Sequence, residues 1–598
     1  MLTHSLSPFF IAQRNRLYGA ITSIHAGFLF EGHNMPTSVN EQAVTEGQPK
    51  KLNAILMRKH KHLDKQYSEH KAIHQEISQY VAVGRGRFVD QGYTPYRDVK
   101  KGYKLVNPAP TKALSIMGAG MHGGLSSPAR PWIQLGLMDS DMGKYGPFRN
   151  WLDDAERKLL SVFKMSNLYN MVHGLYEEGA AFGISCAFID EHPENIVQFY
   201  QFTIGDYRVA VNPDGTCHTM TRETKMHAFQ VVEMFGAENC TEKTLKLART
   251  NEFEFVTVIH VVEVNPDRKI EMLDHTNMEF RSVYFEKGED DKQLSHKGYL
   301  EMPVVSPRWT ALSNESWGWG PGLWALGLSK AAQKMEKNSL MLVDKASDPP
   351  MGVPPSLKDR MLDLTPGAKN PIGMNEEKGL FPLVKVDLAG VTALDGKIER
   401  YERKIQELFY NDLFLLIIGA PAGKMTATEV LERHEEKLLM LGPAIERQLH
   451  ELLDPIVKRT FNICLRRGII PPPPPELSQA EYKIEYISLL AQAQKLTMSQ
   501  SMHAYLAMAE RVAQLDPFTV RKTNWNEYLD QFGDMVGLPA KVMNDSEVVE
   551  EERAQAQEQQ EKDQQMIEQQ AAVQNMKDLG QASTETGTVL SELKDAAA

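Results

Sequence analysis

Cysteine is scarce in this chain. Four residues among 598, Cys186, Cys217, Cys240 and Cys464, are scattered with no paired spacing. That pattern argues against a disulfide framework or a Cys-based zinc site, and reads as free thiols in a reducing compartment. Long apolar runs are missing too. Leu413 to Ile418 falls far short of the ~18–20 residues that span a bilayer, so no membrane partner is expected. Pro8 to Ala12 has no basic region before it and is followed by Arg14 and Arg16, which makes a poor signal peptide. Met35 opens a polar stretch resembling a natural start, so residues 1–34 read as a mis-called start or a loose arm. A basic excess is also absent. Lys plus Arg number 66 against 78 Asp plus Glu, a net charge of −12. Tight wrapping around nucleic acid is disfavoured, whereas a surface that lets a polyanion slide past is not.

Complete catalytic and nucleotide motifs are wanting as well. Gly118-Ala-Gly120-Met-His-Gly123 has the glycine spacing of a dinucleotide fingerprint, but Pro128 and Pro131 follow where that motif needs a helix to hold the pyrophosphate. These glycines read instead as sites of close backbone packing. Gly419-Ala-Pro-Ala-Gly423-Lys424-Met425-Thr426 approaches a phosphate loop but is one residue short, with Met425 in the hydroxyl position. The acidic match Ala187-Phe-Ile-Asp190-Glu191 lies upstream, in the wrong order for a simple domain of that type. His70 and His74 stand one helical turn apart but lack a third ligand at matching spacing, so they read as a solvated face. No Ser/His/Asp or Cys/His arrangement stands out. The chain is expected to be no enzyme and to carry no cofactor or metal.

What is present is helix, in quantity. The organising stretch is Leu394 to Gly468. Ile398, Tyr401, Ile405, Leu408 and Phe409 form one stripe at helical spacing, and Leu413 to Ile418 continues it. The Gly/Pro loop then breaks the helix. Thr426-x-x-Glu429 restarts it as a capping box, a kink is expected at Gly442-Pro443, and Gly468 supplies a left-handed cap before the prolines 471–475. Helices are also predicted over 52–82, 147–181, 322–345 and much of 477–540. Ile184 to Ile189, Phe253 to Val264 and Ser282 to Glu286 read as strands of an antiparallel subdomain within 183–310, with turns at Asn212-Pro-Asp-Gly215 and Asn265-Pro-Asp267. Residues 545–578 hold ten acidic against three basic side chains and read as disordered or as a lone surface helix.

Several stretches together resemble the portal proteins of short-tailed phages, the head-to-tail connector family. They are Gly123-Gly-Leu-Ser-Ser-Pro-Ala-Arg-Pro-Trp132, Phe202-Thr-Ile-Gly-Asp-Tyr-Arg-Val209, Thr426-Ala-Thr-Glu-Val-Leu-Glu-Arg433, Gly442-Pro443 through Leu452-Leu-Asp-Pro455, and Arg467-Gly-Ile-Ile-Pro-Pro-Pro-Pro-Pro475. The resemblance covers about residues 50–540. It implies a helix-rich α+β portal fold with wing, two-helix stem, clip and helical crown. The wing would be 51–321 after a flexible arm at 1–50, and the stem helices 322–345 and 394–418 would flank a clip at 346–393. A tunnel loop at 419–426 would lead into a long kinked helix at 427–468, a crown at 469–540 and an acidic tail at 541–598.

The resemblance further implies a ring of about twelve copies at one capsid vertex of the virion, assembled in the host cytoplasm. Such a ring passes double-stranded DNA and docks a terminase packaging motor, tail adaptors and capsid or scaffold proteins. Gly419, Pro421, Gly423, Lys424 and Thr426 would face the DNA, and Lys330, Lys334 and Lys337 are candidates for a channel-facing stem. Two other readings remain open here. One is an NTP-driven motor subunit built on Gly419 to Thr426. The other is a helical scaffold whose prolines form a polyproline II ligand.

Overall fold

The structure is a computed structural model that describes residues 52–88, 105–129, 131–137, 146–349 (without 270, 273 and 314), 351–352, 381–382, 388–417, 440–474, 482–487, 505–512, 523–525, 528–529, 552–560 and 562–571. The chain divides into two units, the larger formed by residues 1–134, 155–472 and 484–497. It is rich in helix and mixed with antiparallel sheet, the expected class. In chain order the elements begin with α1 (Leu52–Tyr80), α2 (Ala109–Leu125), β1 (Ile133–Leu137), α3 (Gly146–Met165) and α4 (Leu168–Phe182). There follow β2 (Cys186–His192), β3 (Ile196–Phe202), β4 (Tyr207–Val211), β5 (Cys217–His227), α5 (Ala228–Phe235) and α6 (Glu242–Thr250). Then come β6 (Phe255–Val264), β7 (Phe280–Glu286), β8 (Ser295–Tyr299), β9 (Val304–Val305), α7 (Pro321–Ser347), β10 (Met351–Gly352) and β11 (Phe381–Pro382). The last are α8 (Leu388–Leu408), α9 (Asn411–Ile417), a π turn at Leu449–Leu453, α10 (Asp454–Arg466) and β12 (Tyr482–Tyr486).

The predicted β subdomain is present as a five-stranded antiparallel sheet, β4-β5-β6-β7-β8, beside a three-stranded sheet, β3-β2-β9. Its central strand, β6, is covered on both faces, and the period of two divides its side chains between them. Val256 and Val258 pack with Ala228 and Val231 of α5, while Ile259 and Val261 pack on Leu56 of α1. α1 is amphipathic along this line, burying Leu56, His60, Leu63, Tyr67, His74 and Ile77. His74 is therefore not on the solvated face expected for it. It lies among Tyr67, Phe182 and Trp317, with ring centroids 5.8–5.9 Å away. Burial is the largest influence lowering its pKa to about 3, which keeps the ring neutral.

Four differences from the sequence reading each trace to a particular contact or backbone angle. The close packing expected at Gly118 and Gly120 is present, but inside a helix, α2, where the nearby prolines argue against one: a Cβ on Gly118 would strike Glu177 and, on the opposite side of the helix, a Cβ on Gly120 would strike Phe414. The span 147–181 is two helices, divided at Ser166-Asn167, where the Asn167 side chain bonds the backbone of Phe199 in both directions at 2.7 and 2.9 Å. The second helix of the 322–418 region starts at Leu388 and stops at Leu408, and α9 begins only after Tyr410 (φ 53°). Within 477–540 a strand, β12, stands where helix was expected. Its end is held by Trp132, whose carbonyl accepts the Ile487 N–H at 3.1 Å and whose ring stacks on Tyr486 and Phe163.

In the second unit, 552–560 and 562–571 are helical with every described side chain exposed, the surface-helix alternative for the acidic tail. All four cysteines are free thiols and buried. No helix among the described residues is long and apolar enough to cross a membrane.

Candidate functional site

α7 and α8 run antiparallel, and small or polar side chains line much of their contact. Pro321 opens α7 at a position where its missing N–H costs nothing. The buried face of α7 then carries Ala325, Leu326, Ser329, Ala332, Gln333 and Ser339. Gln333 Oε1 accepts the backbone N–H groups of Val106 and Asn107 at 2.9 and 3.1 Å, and its amide donates back to the Asn107 carbonyl. Asn107 in turn donates to Glu402 of α8 at 2.7 Å, and Ser339 donates to Asp395 at 2.9 Å. Beyond Ser339 the helix leaves the packed core. Leu340, Met341 and Val343 are 49%, 45% and 47% exposed, so the end of α7 offers apolar surface that one described chain does not cover.

Lys330, Lys334 and Lys337 share one stripe, as their i, i+4, i+7 spacing requires. The structure separates their roles. Lys330 pairs with Glu76 of α1 at 2.8 Å and sits 5.8 Å from the Tyr80 ring centroid. Lys334 and Lys337 are exposed and form no ion pair among the described residues. Gly419, Pro421, Gly423, Lys424 and Thr426 lie outside the described residues, as do most of 346–393 and 469–540.

The described part of the long helix anchors this region to the sheet. Ile445, Leu449, Leu452, Leu453, Ile456 and Thr460 are buried as the stripe predicted, and Gly468 takes its left-handed cap at φ 71°. A π turn, Leu449–Leu453, interrupts the α-helical bonding of this stretch; the residues 427–439 that lead into the kink expected at Gly442-Pro443 lie outside the described residues. Glu451 in that turn grips Arg308 through the backbone N–H, Nε and Nη2 at 2.9, 3.3 and 3.0 Å, and Arg447 adds a fourth donor at 3.0 Å. Gln448 donates to the Arg308 carbonyl at 3.3 Å. Sequence reading missed this knot because its members are 143 residues apart and belong to no motif.

A second network ties the segment after α1 to the β3–β4 turn. Gly86 N–H donates to Thr203 Oγ1 at 2.9 Å, Arg87 N–H donates to the Ile204 carbonyl at 2.8 Å, and Arg85 pairs with Glu177 and, at 3.6 Å, with Glu178. Burial pushes the Glu178 carboxyl up to about 7 against the lowering pull of Arg85, and pushes Asp206 up to about 6 against Arg87. A folded-state pKa above the unfolded value means that this stability is fully present below about 4.5 and is lost as pH rises through about 7. Glu178→Gln should therefore flatten the pH slope, adding on the order of 2 kcal/mol at pH 8 relative to wild type. Urea melts at pH 5 and pH 8 would check it, and equal slopes in both proteins would refute it.

The order of α1, the antiparallel sheet and the α7–α8 pair spans the region that one family model matches. The chain belongs to the bacteriophage head to tail connecting proteins, whose model covers residues 53–543. It is a virion protein of the head-to-tail junction. Two relatives are portal proteins. That of Salmonella phage epsilon15 is 33% identical over 526 residues, covering 87% of this chain and 94% of the relative. The probable portal protein of Bordetella phage BPP-1 is 33% identical over 508 residues, covering 84% and 89%. Among solved structures, the neck of an empty gene transfer agent particle is similar over 77% of this chain and 99% of that one, at 13% identity and a TM-score of 0.31.

Proposed function

We propose that about twelve copies form a ring at one capsid vertex, through which double-stranded DNA enters during packaging and leaves during ejection. The observation that carries this reading is the α7–α8 pair. Its core is sealed by hydrogen bonds within the chain, yet its far end presents Leu340, Met341 and Val343, apolar surface suited to a neighbouring copy. In this reading 51–321 is the wing, α7 and α8 with α9 are the stem, and 346–393 is the clip that meets terminase and tail adaptors. Residues 419–426 form the tunnel loop, 427–468 the long helix and 469–540 the crown. At ~1.5 Å per residue, the 27 residues of α7 give a wall ~40 Å tall.

The charge balance suits a conduit. Each neutralised phosphate adds salt-dependent affinity, and hence friction, so a net charge of −12 with a few lysines at the wall keeps the grip weak. Lys334, Lys337 and, in the loop, Lys424 are the side chains assigned to DNA. The chain itself performs no reaction. NTP hydrolysis belongs to the motor, and Lys424→Ala should remove no hydrolytic activity from the purified protein. Electron microscopy of purified protein should show annular particles with an open axial hole, and compact particles without one would refute the ring. Replacing Gly419, Pro421 and Gly423 together by alanine should leave rings intact while packaging falls at least tenfold, since fused helices cannot present the loop. Normal packaging yield would remove the loop from the mechanism.

A further inference from the structure

The apolar stripe at 398, 401, 405, 408 and 409 continues in phase through Leu413, so local sequence favours one unbroken helix from α8 into α9. The fold breaks it. Tyr410 sits in the left-handed region at φ 53°, a conformation that side-chain-bearing residues adopt rarely and tyrosine has no special means to relieve. The neighbouring Asn411 is buried, and its Oδ1 has no hydrogen-bond partner among the described residues. Contacts from a different helix offset both penalties. Phe414 lies fully buried against Gly120 of α2, where any Cβ would come within 2.3 Å of its ring, and Leu413 is buried beside it. Local preference and tertiary packing thus pull one residue in opposite directions.

We propose that Tyr410 is a two-position hinge. In the bent form Phe414 occupies the notch at Gly120. In the straight form Tyr410 becomes helical, α8 and α9 join, and Phe414 leaves the notch. The device is read from α2, α8 and α9 alone and does not depend on what passes beside it, so it stands apart from the conduit reading. The test places nitroxides at Glu399→Cys and Leu415→Cys, two exposed positions, in assembled protein diluted with unlabelled chain; the native thiols are buried. A continuous helix would separate the two backbone positions by ~24 Å, and the bent form brings them closer. Pulsed electron–electron resonance should find a minor long-distance population in wild type. Tyr410→Val, whose β-branched side chain resists positive φ, should raise that population about tenfold, and Tyr410→Gly should lower it about as much. Phe414→Ala should raise it from the other side by emptying the notch. A single distance unmoved by either Tyr410 substitution would overturn the hinge.

Discussion

Glu451→Ala is expected to destabilise the folded chain by about 3–5 kcal/mol, among the largest effects of any single substitution outside the apolar core. The side chain accepts four hydrogen bonds, three from Arg308 and one from Arg447, in a setting where Arg308 is 3% and Glu451 is 6% exposed in the side chain. Removing the carboxylate strands a guanidinium in a place water scarcely reaches, and that desolvation exceeds the Coulombic gain the pair provided. A second substitution separates this account from simple cavity formation. Arg308→Met combined with Glu451→Met removes both charges and should recover much of the loss. Chemical denaturation of Arg308→Met, Glu451→Met and the double would measure the coupling. If Glu451→Ala alone lost less than about 1 kcal/mol, the π turn would not be held by this pair.

Gly183→Ala is expected to cost about 3 kcal/mol, from two sources that act together. Gly183 caps α4 at φ 82°, where any Cβ adds roughly 1–2 kcal/mol of strain. That Cβ would also fall 2.2 Å from the backbone oxygen of Gly318, and two backbones would have to part to admit it, at a further ~1–3 kcal/mol. The same backbone carries the hydrogen bond from Trp309 N–H to the Gly183 carbonyl at 2.8 Å, so the shift would reach β9 and the entry to α7. Hydrogen exchange should report it as faster exchange at Trp309 and at the first turn of α7. Unchanged exchange at both would mean that the contact yields without consequence.

Much of the architecture was legible in the chain, because it rests on periodicity. The stripes of α1 and of 440–466, the β-branched run of β6 and the cap at Gly468 are each set by neighbours a few residues away. Where reading failed, distant packing had overridden a local signal. His74 looks like one polar residue among many on a charged helix until Trp317, more than two hundred positions later, closes over it. Close packing at Gly118 and Gly120 is legible, but Pro128 and Pro131 argue against a helix there, and α2 runs through both because Glu177 and Phe414 pack where side chains would stand. Tyr482–Tyr486 reads as helix, yet the chain after it ties to Trp132. The candidate site was legible only in part. Spacing placed three lysines on one stripe of α7, but nothing in it revealed that Lys330 would be engaged by Glu76. The hydrogen bonds joining Gln333, Asn107 and Glu402 connect three separate segments and leave no local trace.

The seclusion of every thiol makes the molecule chemically quiet. Burial pushes the Cys217 thiol up to about 12 and Cys464 up to about 11, and raises Cys186 and Cys240 as well, so few thiolates exist at neutral pH and those few are shielded. Alkylating reagents should therefore pass the native protein by. One cysteine installed on its exterior becomes the sole handle for a dye, a heavy atom or a crosslink to whatever stands beside it in the particle.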